Sequence, residues 1–243
     1  MDQIGTDKRY FIVEGNIGAG KSTFLRILKE QLNVPIIFEP VEKWQTIEGT
    51  TENLLEKFYS DTQRWAYTFQ SYAFITRVLA LEDALKTTPY QTSVLERSVF
   101  SDRYCFARNC YEQGNMNALE WKLYQEWFVW LVNNVMTKPA GFIYLKADPK
   151  KCYERLCKRG RSEESPVALD YLQQLHNKHE KWLIEKDNIA DYLQDLPVLV
   201  LDCNQEFESD VAVQRNHIKY IRQFIHDEEV YVPKEKLVPK ALV

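Results

Sequence analysis

The sequence contains no Cys-x-x-Cys pair; its five cysteines, Cys105, Cys110, Cys152, Cys157 and Cys203, lie far apart or five residues from one another. That spacing argues against a zinc knuckle or a dithiol redox motif. An odd cysteine count without a secretory leader suits a reducing compartment, and the cytosol is expected. A basic excess is missing too: 31 Lys and Arg stand against 35 Asp and Glu, a formal net charge of −4. Proteins that hold nucleic acid by neutralising phosphates usually carry the opposite balance, so no nucleic-acid partner is expected. No apolar run approaches the roughly 20 residues of a membrane helix, so no membrane partner is expected. The opening residues MDQIGTDKR have no apolar signal region. Internal repeats, low-complexity stretches and Gly/Ser linkers are absent, and residues 1–243 are read as a single domain. His176 and His179 stand at i, i+3 without a third ligand, so no metal is expected there.

Hydrophobic residues make up 45% of the chain, enough for a sizeable core. Short apolar runs at Tyr10–Glu14, Ile36–Glu39, Ser93–Glu96, Phe142–Lys146 and Val198–Leu201 have the character of buried parallel strands. Helical periodicity covers Ser22–Leu32, Arg64–Lys86, Ala118–Met136, Lys150–Arg159, Val167–Tyr192 and Asp210–Ile225. Strands alternating with helices predict an α/β fold, a parallel sheet with helices on both faces. The charged tail, residues 227–243, is expected to pack loosely. Open α/β sheets bind ligands beyond the carboxyl ends of their strands, and the first three expected strands end in Glu14, Glu39 and Glu96.

After the first strand comes Gly15-Asn16-Ile17-Gly18-Ala19-Gly20-Lys21-Ser22-Thr23, which contains G-x-x-x-x-G-K-[ST] between strand and helix. Its glycines allow backbone amides to approach phosphate oxygens, and the helix beginning near Gly20 turns its positive end toward the anion. Lys21 is expected on the β- and γ-phosphates and the Ser22 hydroxyl on Mg²⁺. A chance glycine-rich turn is the competing reading, and the flanking strand and helix weigh against it.

Three clusters bear on the phosphate acceptor. Glu39, followed by Pro40, is a strand-tip carboxylate able to take a proton from an attacking hydroxyl; a solvated loop acid is the bland alternative. Gln70 and Arg77 are seven residues apart and share a helix face amid aromatics. An amide there can read a base edge while rings stack on it, unless Gln70 is a bystander in an aromatic core. Leu95-Glu96-Arg97-Ser98 offers a metal acid and a bridging cation, or simply a capped helix start. Further on, Arg155, Lys158, Arg159 and Arg161 form a positive helix face that can close over a triphosphate as a lid, although such runs are usually solvated.

Together these pieces resemble the deoxyribonucleoside kinase family. The resemblance rests on EGNIGAGKST, EPVEKW, FYSDTQRWAYTFQSY, ERSVFSDRYCF, RLCKRGRSEES, YLQQLHNKHEKWL and VLVLD, in order along most of the chain. It implies a P-loop kinase fold with a five-stranded parallel sheet, an arginine-rich lid at about 155–166, and ATP and Mg²⁺ as donor and metal. It implies Glu39 as general base for the 5′-hydroxyl with Arg97 beside it, and Ser22 and Glu96 around the metal. Gln70 matches the base-reading residue, with Trp44, Phe69 and Phe106 as aromatic walls. Tyr59 and Glu164 match the pair holding the 3′-hydroxyl, and Arg155, Arg159 and Arg161 match the lid cations. Gln205-Glu206-Phe207 resembles the segment that meets the ATP adenine. The likeness also implies a homodimer, with Arg64–Lys86 and Ala118–Met136 as candidate helices. Arg77 and Asp102 resemble members acting on deoxycytidine or purine deoxynucleosides rather than thymidine. A nucleoside monophosphate kinase and a non-catalytic nucleotide-binding P-loop protein are the rival functions. All of this requires Lys21, Glu39 and Gln70 to open onto one cleft.

Overall fold

The computed structural model describes residues 8–32 and 34–226, so the tail at 227–243 lies outside the described residues. Strand β1 (Arg9–Glu14) runs into the glycine-rich loop and helix α1 (Lys21–Gln31). Strand β2 (Ile36–Ile37) precedes the short helices α2 (Glu42–Gln45) and α3 (Leu54–Ser60) and the long α4 (Thr62–Thr87). After β3 (Thr92–Glu96) come α5 (Val99–Ser101), a π-helical turn (Asp102–Phe106), α6 (Ala107–Glu112) and α7 (Ala118–Asn134). Strand β4 (Gly141–Lys146) leads to α8 (Pro149–Arg159), a 3₁₀ turn (Ser162–Glu164), α9 (Leu169–His179), a second π-helical turn (Glu180–Ile184) and α10 (Asp191–Gln194). Strand β5 (Val198–Asp202) and α11 (Val211–His226) follow.

The five strands form one parallel sheet in the order β2-β3-β1-β4-β5. β1 is central, and alternation along it feeds two cores. Tyr10 and Ile12 face the layer containing α4 and α7, while Phe11 and Val13 face α1, α8, α9 and α11. Strand β4 repeats the pattern with Phe142 and Tyr144 against Ile143 and Leu145. Each such buried side chain contributes roughly 1.5–3 kcal/mol from water exclusion. The chain crosses to the other side of β1 after β3, which opens a crevice at the carboxyl ends of these two strands.

Local signals set the helix boundaries. Asp61 caps α4 by accepting from Arg64 N at 3.1 Å, and Asn117 and Glu120 form a reciprocal capping box on α7. Helix α8 has Asp148 as its cap, Pro149 in its first turn and Gly160 in a left-handed C-cap, φ 65°.

Two expectations need correction. β2 stops at Ile37, so Glu39 lies two residues past the strand in a loop. β2 is an edge strand whose pairing ends at Ile37–Leu95, and Pro40 has no N–H to extend it. The helix expected over Val167–Tyr192 is broken, because Lys186 and Asn188 adopt left-handed φ of 55° and 53° between the second π-helical turn and α10.

His179, at the end of α9, is buried; its Nδ1 lies 2.7 Å from the Leu175 carbonyl and its ring stacks on Tyr144. Burial, then nearby Arg97, pushes its pKa down to about 3. The folded state therefore excludes a proton that the unfolded chain takes up below 6.5, so this stability is complete above 6.5 and falls toward pH 3. His179→Phe should be less sensitive to acid. Between pH 5.5 and 4.5 the parent should lose about 1.4 kcal/mol more than the variant in urea denaturation. Parallel losses would contradict a neutral His179.

Candidate active site

The glycine-rich loop wraps the carboxyl end of β1. Gly18 has φ 78°, and a Cβ there would sit 2.2 Å from the Cys152 carbonyl oxygen of α8. Gly20, φ 95°, is the N-cap of α1 and supplies no side-chain cap, so the first amides of the helix stay open to an anion. Asn16 is buried and ties the loop to α9 through Nδ2 to the Leu172 carbonyl at 2.8 Å. Lys21 donates to the carbonyls of Gly15 at 3.1 Å and Asn16 at 2.8 Å. Burial, then Arg97, lowers its pKa to about 7. Ser22 Oγ donates to Glu96 Oε1 at 2.7 Å, joining the loop to the end of β3. Thr23 is half-buried, and its hydroxyl accepts from Arg26 Nη2 at 3.2 Å.

Across the cleft stands a charged group sharing one carboxylate. Arg77 from α4 donates to Glu39 and, through its other terminal nitrogen, to Asp102 of the first π-helical turn. Arg97 Nε lies 3.5 Å from the same Glu39 oxygen. Arg97 is held in a left-handed conformation, φ 60°, with its N–H on the Val13 carbonyl at 2.9 Å. Burial raises the Glu39 pKa, but Arg77 and then Arg97 outweigh it and hold the carboxyl below the usual range. Burial likewise opposes the Arg77 charge, and Asp102 and Glu39 more than offset it, so the guanidinium is firmly protonated.

Beside this group lies an aromatic slot. Trp44 packs edge-on to Phe69 at 5.5 Å between centroids and donates Nε1 to Thr76 at 2.9 Å. Phe58 stacks on Phe69 at 4.5 Å, and the guanidinium of Arg97 sits 4.6 Å from the Phe106 ring centre. Gln70 is buried, and among the described residues its Oε1 is unpartnered and its Nε2 has only the Cys110 sulfur at 3.9 Å. A buried amide in that state is suited to a heteroaromatic edge. Burial, then Glu164, raises the Tyr59 pKa, so its hydroxyl remains a donor.

One cleft is lined by Gly18, Gly20, Lys21 and Ser22 on the phosphate side and by Glu39, Gln70, Arg77 and Asp102 on the other. Ile17, Thr23, Trp44, Tyr59, Phe69, Glu96, Arg97, Phe106, Arg159, Arg161 and Glu164 line it as well. The spatial requirement set by the sequence is met. The cleft does not include Gly15, Asn16 or Ala19, which shape the loop from behind. Arg155 is also outside it. Its guanidinium donates to the carbonyls of Cys203 at 2.8 Å and Gln205 at 3.0 Å, bracing the loop of Gln205, Glu206 and Phe207. Phe207 is buried against Phe24 and would meet a Cβ on Gly20 at 2.6 Å, so it supports the phosphate loop.

Leu55 and Phe58 of α3, Val41, Arg26 and Tyr171 also line the cleft, and no motif in the sequence marks them as site residues. A signal for α3 was present: Asn53 precedes Glu56 by three residues, and its side chain caps the helix from Glu56 N at 3.0 Å.

A phosphate loop at the switch point of a 2-3-1-4-5 parallel sheet, with a lid and a carboxylate facing it, defines a P-loop phosphotransferase. A family model described as deoxynucleoside kinase matches residues 11–226. Deoxycytidine kinase 2 of Gallus gallus is 42% identical, covering 89% of this chain and 90% of the relative. Deoxycytidine kinase of Homo sapiens is 40% identical over 84% of this chain and 87% of its own length. Mitochondrial deoxyguanosine kinase of Xenopus laevis is 38% identical over 88% of both. The chain belongs to the deoxynucleoside kinase family and is a kinase with ATP as phosphate donor. Among the described residues no helix is long and apolar enough to cross a membrane.

Proposed function

We propose that the protein transfers the γ-phosphoryl group of ATP to the 5′-hydroxyl of a deoxyribonucleoside, favouring deoxycytidine and purine deoxynucleosides over thymidine. The observation carrying this reading is that Lys21, Glu39 and Gln70 line a single cleft. The base enters between Trp44, Phe69 and Phe106, with its edge toward Gln70 and the Arg77–Asp102 pair. The sugar 3′-hydroxyl meets Tyr59 and Glu164. Glu39, held by Arg77 and Arg97, receives the 5′-hydroxyl proton. The α1 amides and Lys21 hold the phosphates, and Arg159 and Arg161 turn from Glu164 to the γ-phosphoryl oxygens as charge develops. A polyphosphate beside Lys21 would restore its charge at neutral pH.

Ser22 and Glu96 would hold Mg²⁺. Among the described residues there is no cluster of three or more His, Cys, Asp or Glu that could hold a metal. A hydroxyl and a carboxylate 2.7 Å apart nevertheless suit a hard cation that takes its other ligands from phosphate and water. The ion would neutralise phosphate charge during transfer.

The homodimer belongs to the same reading. Neighbouring α4 and α7 leave Ile75 and Leu79, and Leu119, Trp127 and Trp130, between 46% and 68% exposed, an apolar surface suited to a second copy. Five cysteines without a disulfide accord with a cytosolic enzyme made of one domain with a lid at 155–166.

A coupled ATPase-linked assay with the four deoxynucleosides and their monophosphates tests this. Deoxycytidine or a purine deoxynucleoside should turn over at least tenfold better than thymidine, on the order expected for excluding a methyl group. Turnover confined to monophosphates would overturn the acceptor, and thymidine as the best substrate would overturn the specificity.

A further inference from the structure

The lid reaches the wall of the nucleoside slot through a side-chain pair with no part in the chemistry described above. Helix α2 is a single turn; Trp44 is buried against the slot, and Gln45, next to it, is half-buried. Gln45 Nε2 donates to Glu163 Oε1, across 118 residues of sequence. Glu163 is the middle residue of the 3₁₀ turn, and its other oxygen accepts from the Ser162 hydroxyl at 3.3 Å.

The next residue faces the other way. Glu164 is buried and accepts from Arg159 Nη2 at 2.5 Å and Arg161 Nη1 at 3.4 Å. One turn of the lid is thus tied outward to the helix carrying a base wall and inward to the phosphate-facing arginines. Its own backbone bonds are three: Glu164 N to the Arg161 carbonyl and Ser165 N to the Ser162 carbonyl, both 3.2 Å, and Val167 N to the Glu164 carbonyl at 3.0 Å; none of them engages Glu163. The turn follows Gly160, whose left-handed φ of 65° ends α8. Such a turn has little to fix it apart from side-chain ties.

We propose that Gln45 is a positioning residue: through Glu163 it latches the lid to the helix that walls the base, so that nucleoside binding at Trp44 and closure of Arg159 and Arg161 favour one another. The inference rests on the kinase reading above. A hydrogen bond to a carboxylate is stronger than a neutral one, and partial exposure weakens it. Its loss should shift the closed population about three- to tenfold. A substrate that binds productively to the closed form loses apparent affinity by the same factor, while turnover at saturation is preserved.

Gln45→Ala should therefore raise the KM for deoxycytidine about three- to tenfold with kcat within about twofold. Amide exchange across residues 160–167 should also speed up in the ligand-free protein, by a smaller factor than KM rises, because exchange follows the open fraction and KM the closed one. Gln45→Glu sets two carboxylates against each other and should raise KM further. Adding Glu163→Gln to it exchanges donor and acceptor and should recover most of the loss. An unchanged KM in both single variants, unchanged lid exchange, or no recovery in the double variant would overturn the latch. A fall in kcat and melting temperature together, unrelieved by Glu163→Gln, would mark Gln45 as merely structural and overturn it equally. The exchange comparison needs no turnover. A parent protein inactive on every deoxynucleoside would defeat the kinase reading while exchange still decided the latch.

Discussion

Glu39→Gln should lower kcat by about 10²–10⁴-fold and leave the KM for the nucleoside within a few-fold. The substitution keeps the shape of the side chain and an oxygen able to accept from Arg77 and Arg97, both of which face this carboxylate. It removes the group able to take the hydroxyl proton. Arg77 retains Asp102 as a counter-charge, so the site should keep its form. Gln70 and Trp44, which carry base recognition in the proposed mechanism, are untouched. Because Arg77 and Arg97 hold Glu39 ionised below its ordinary 4.5, the parent should show no acid limb from this residue above about that pH. Single-turnover measurements across pH 5–9 separate the chemical step from product release. Near-parental activity in the variant would remove Glu39 from the base role.

Features that depend on near neighbours in sequence were legible; features that depend on distant partners were not. The phosphate loop announces itself because strand, glycines, lysine and helix follow one another without interruption from Arg9 to Gln31. Alternation in Tyr10–Val13 serves both cores, and a continuous apolar run already signals that. By contrast, Arg155 reads as a lid cation from its place among basic residues, yet carbonyls about 50 residues away engage it. Phe207 reads as a ligand contact, and its burial follows from packing on Gly20 and Phe24. The site charges show the same limit. Arg97 was expected beside Glu39, but the closer partner is Arg77, brought in by a helix whose register against β2 no local pattern reveals. The break in the 167–192 helix was equally hidden. Its two left-handed residues are a lysine and an asparagine, and nothing in the periodicity marks them.

Arg77→Met alone should destabilise the protein more than Arg77→Met combined with Asp102→Ala. Arg77 bridges two buried carboxylates, and its side chain and that of Asp102 are 8% and 1% exposed. Removing the guanidinium leaves Asp102 buried and unpaired, a loss of about 3–5 kcal/mol, whereas removing both ends of the pair avoids most of that penalty. The sign of the pH dependence distinguishes this from simple loss of packing. Burial already lifts the Asp102 pKa to about 6 with Arg77 present. Without Arg77 it rises further, so the single variant should gain stability relative to the double as pH falls from 8 to 5, as the folded state holds a proton the unfolded chain releases. Urea denaturation of both variants at these two pH values measures the gap, and a constant gap would mean that Asp102 is not the stranded charge. Specificity should move with the same pair. The double variant replaces a cation and a carboxylate near the base edge with smaller or apolar groups, which opens room for a 5-methyl group. The ratio of kcat/KM for thymidine to that for deoxycytidine should rise about 10–200-fold, the span one methyl group commands in a shaped pocket. The ratio is the proper readout, since losing Arg77 leaves Glu39 with Arg97 alone and lowers turnover of every substrate. A ratio equal to that of the parent would show that the Arg77–Asp102 pair serves only to hold Glu39.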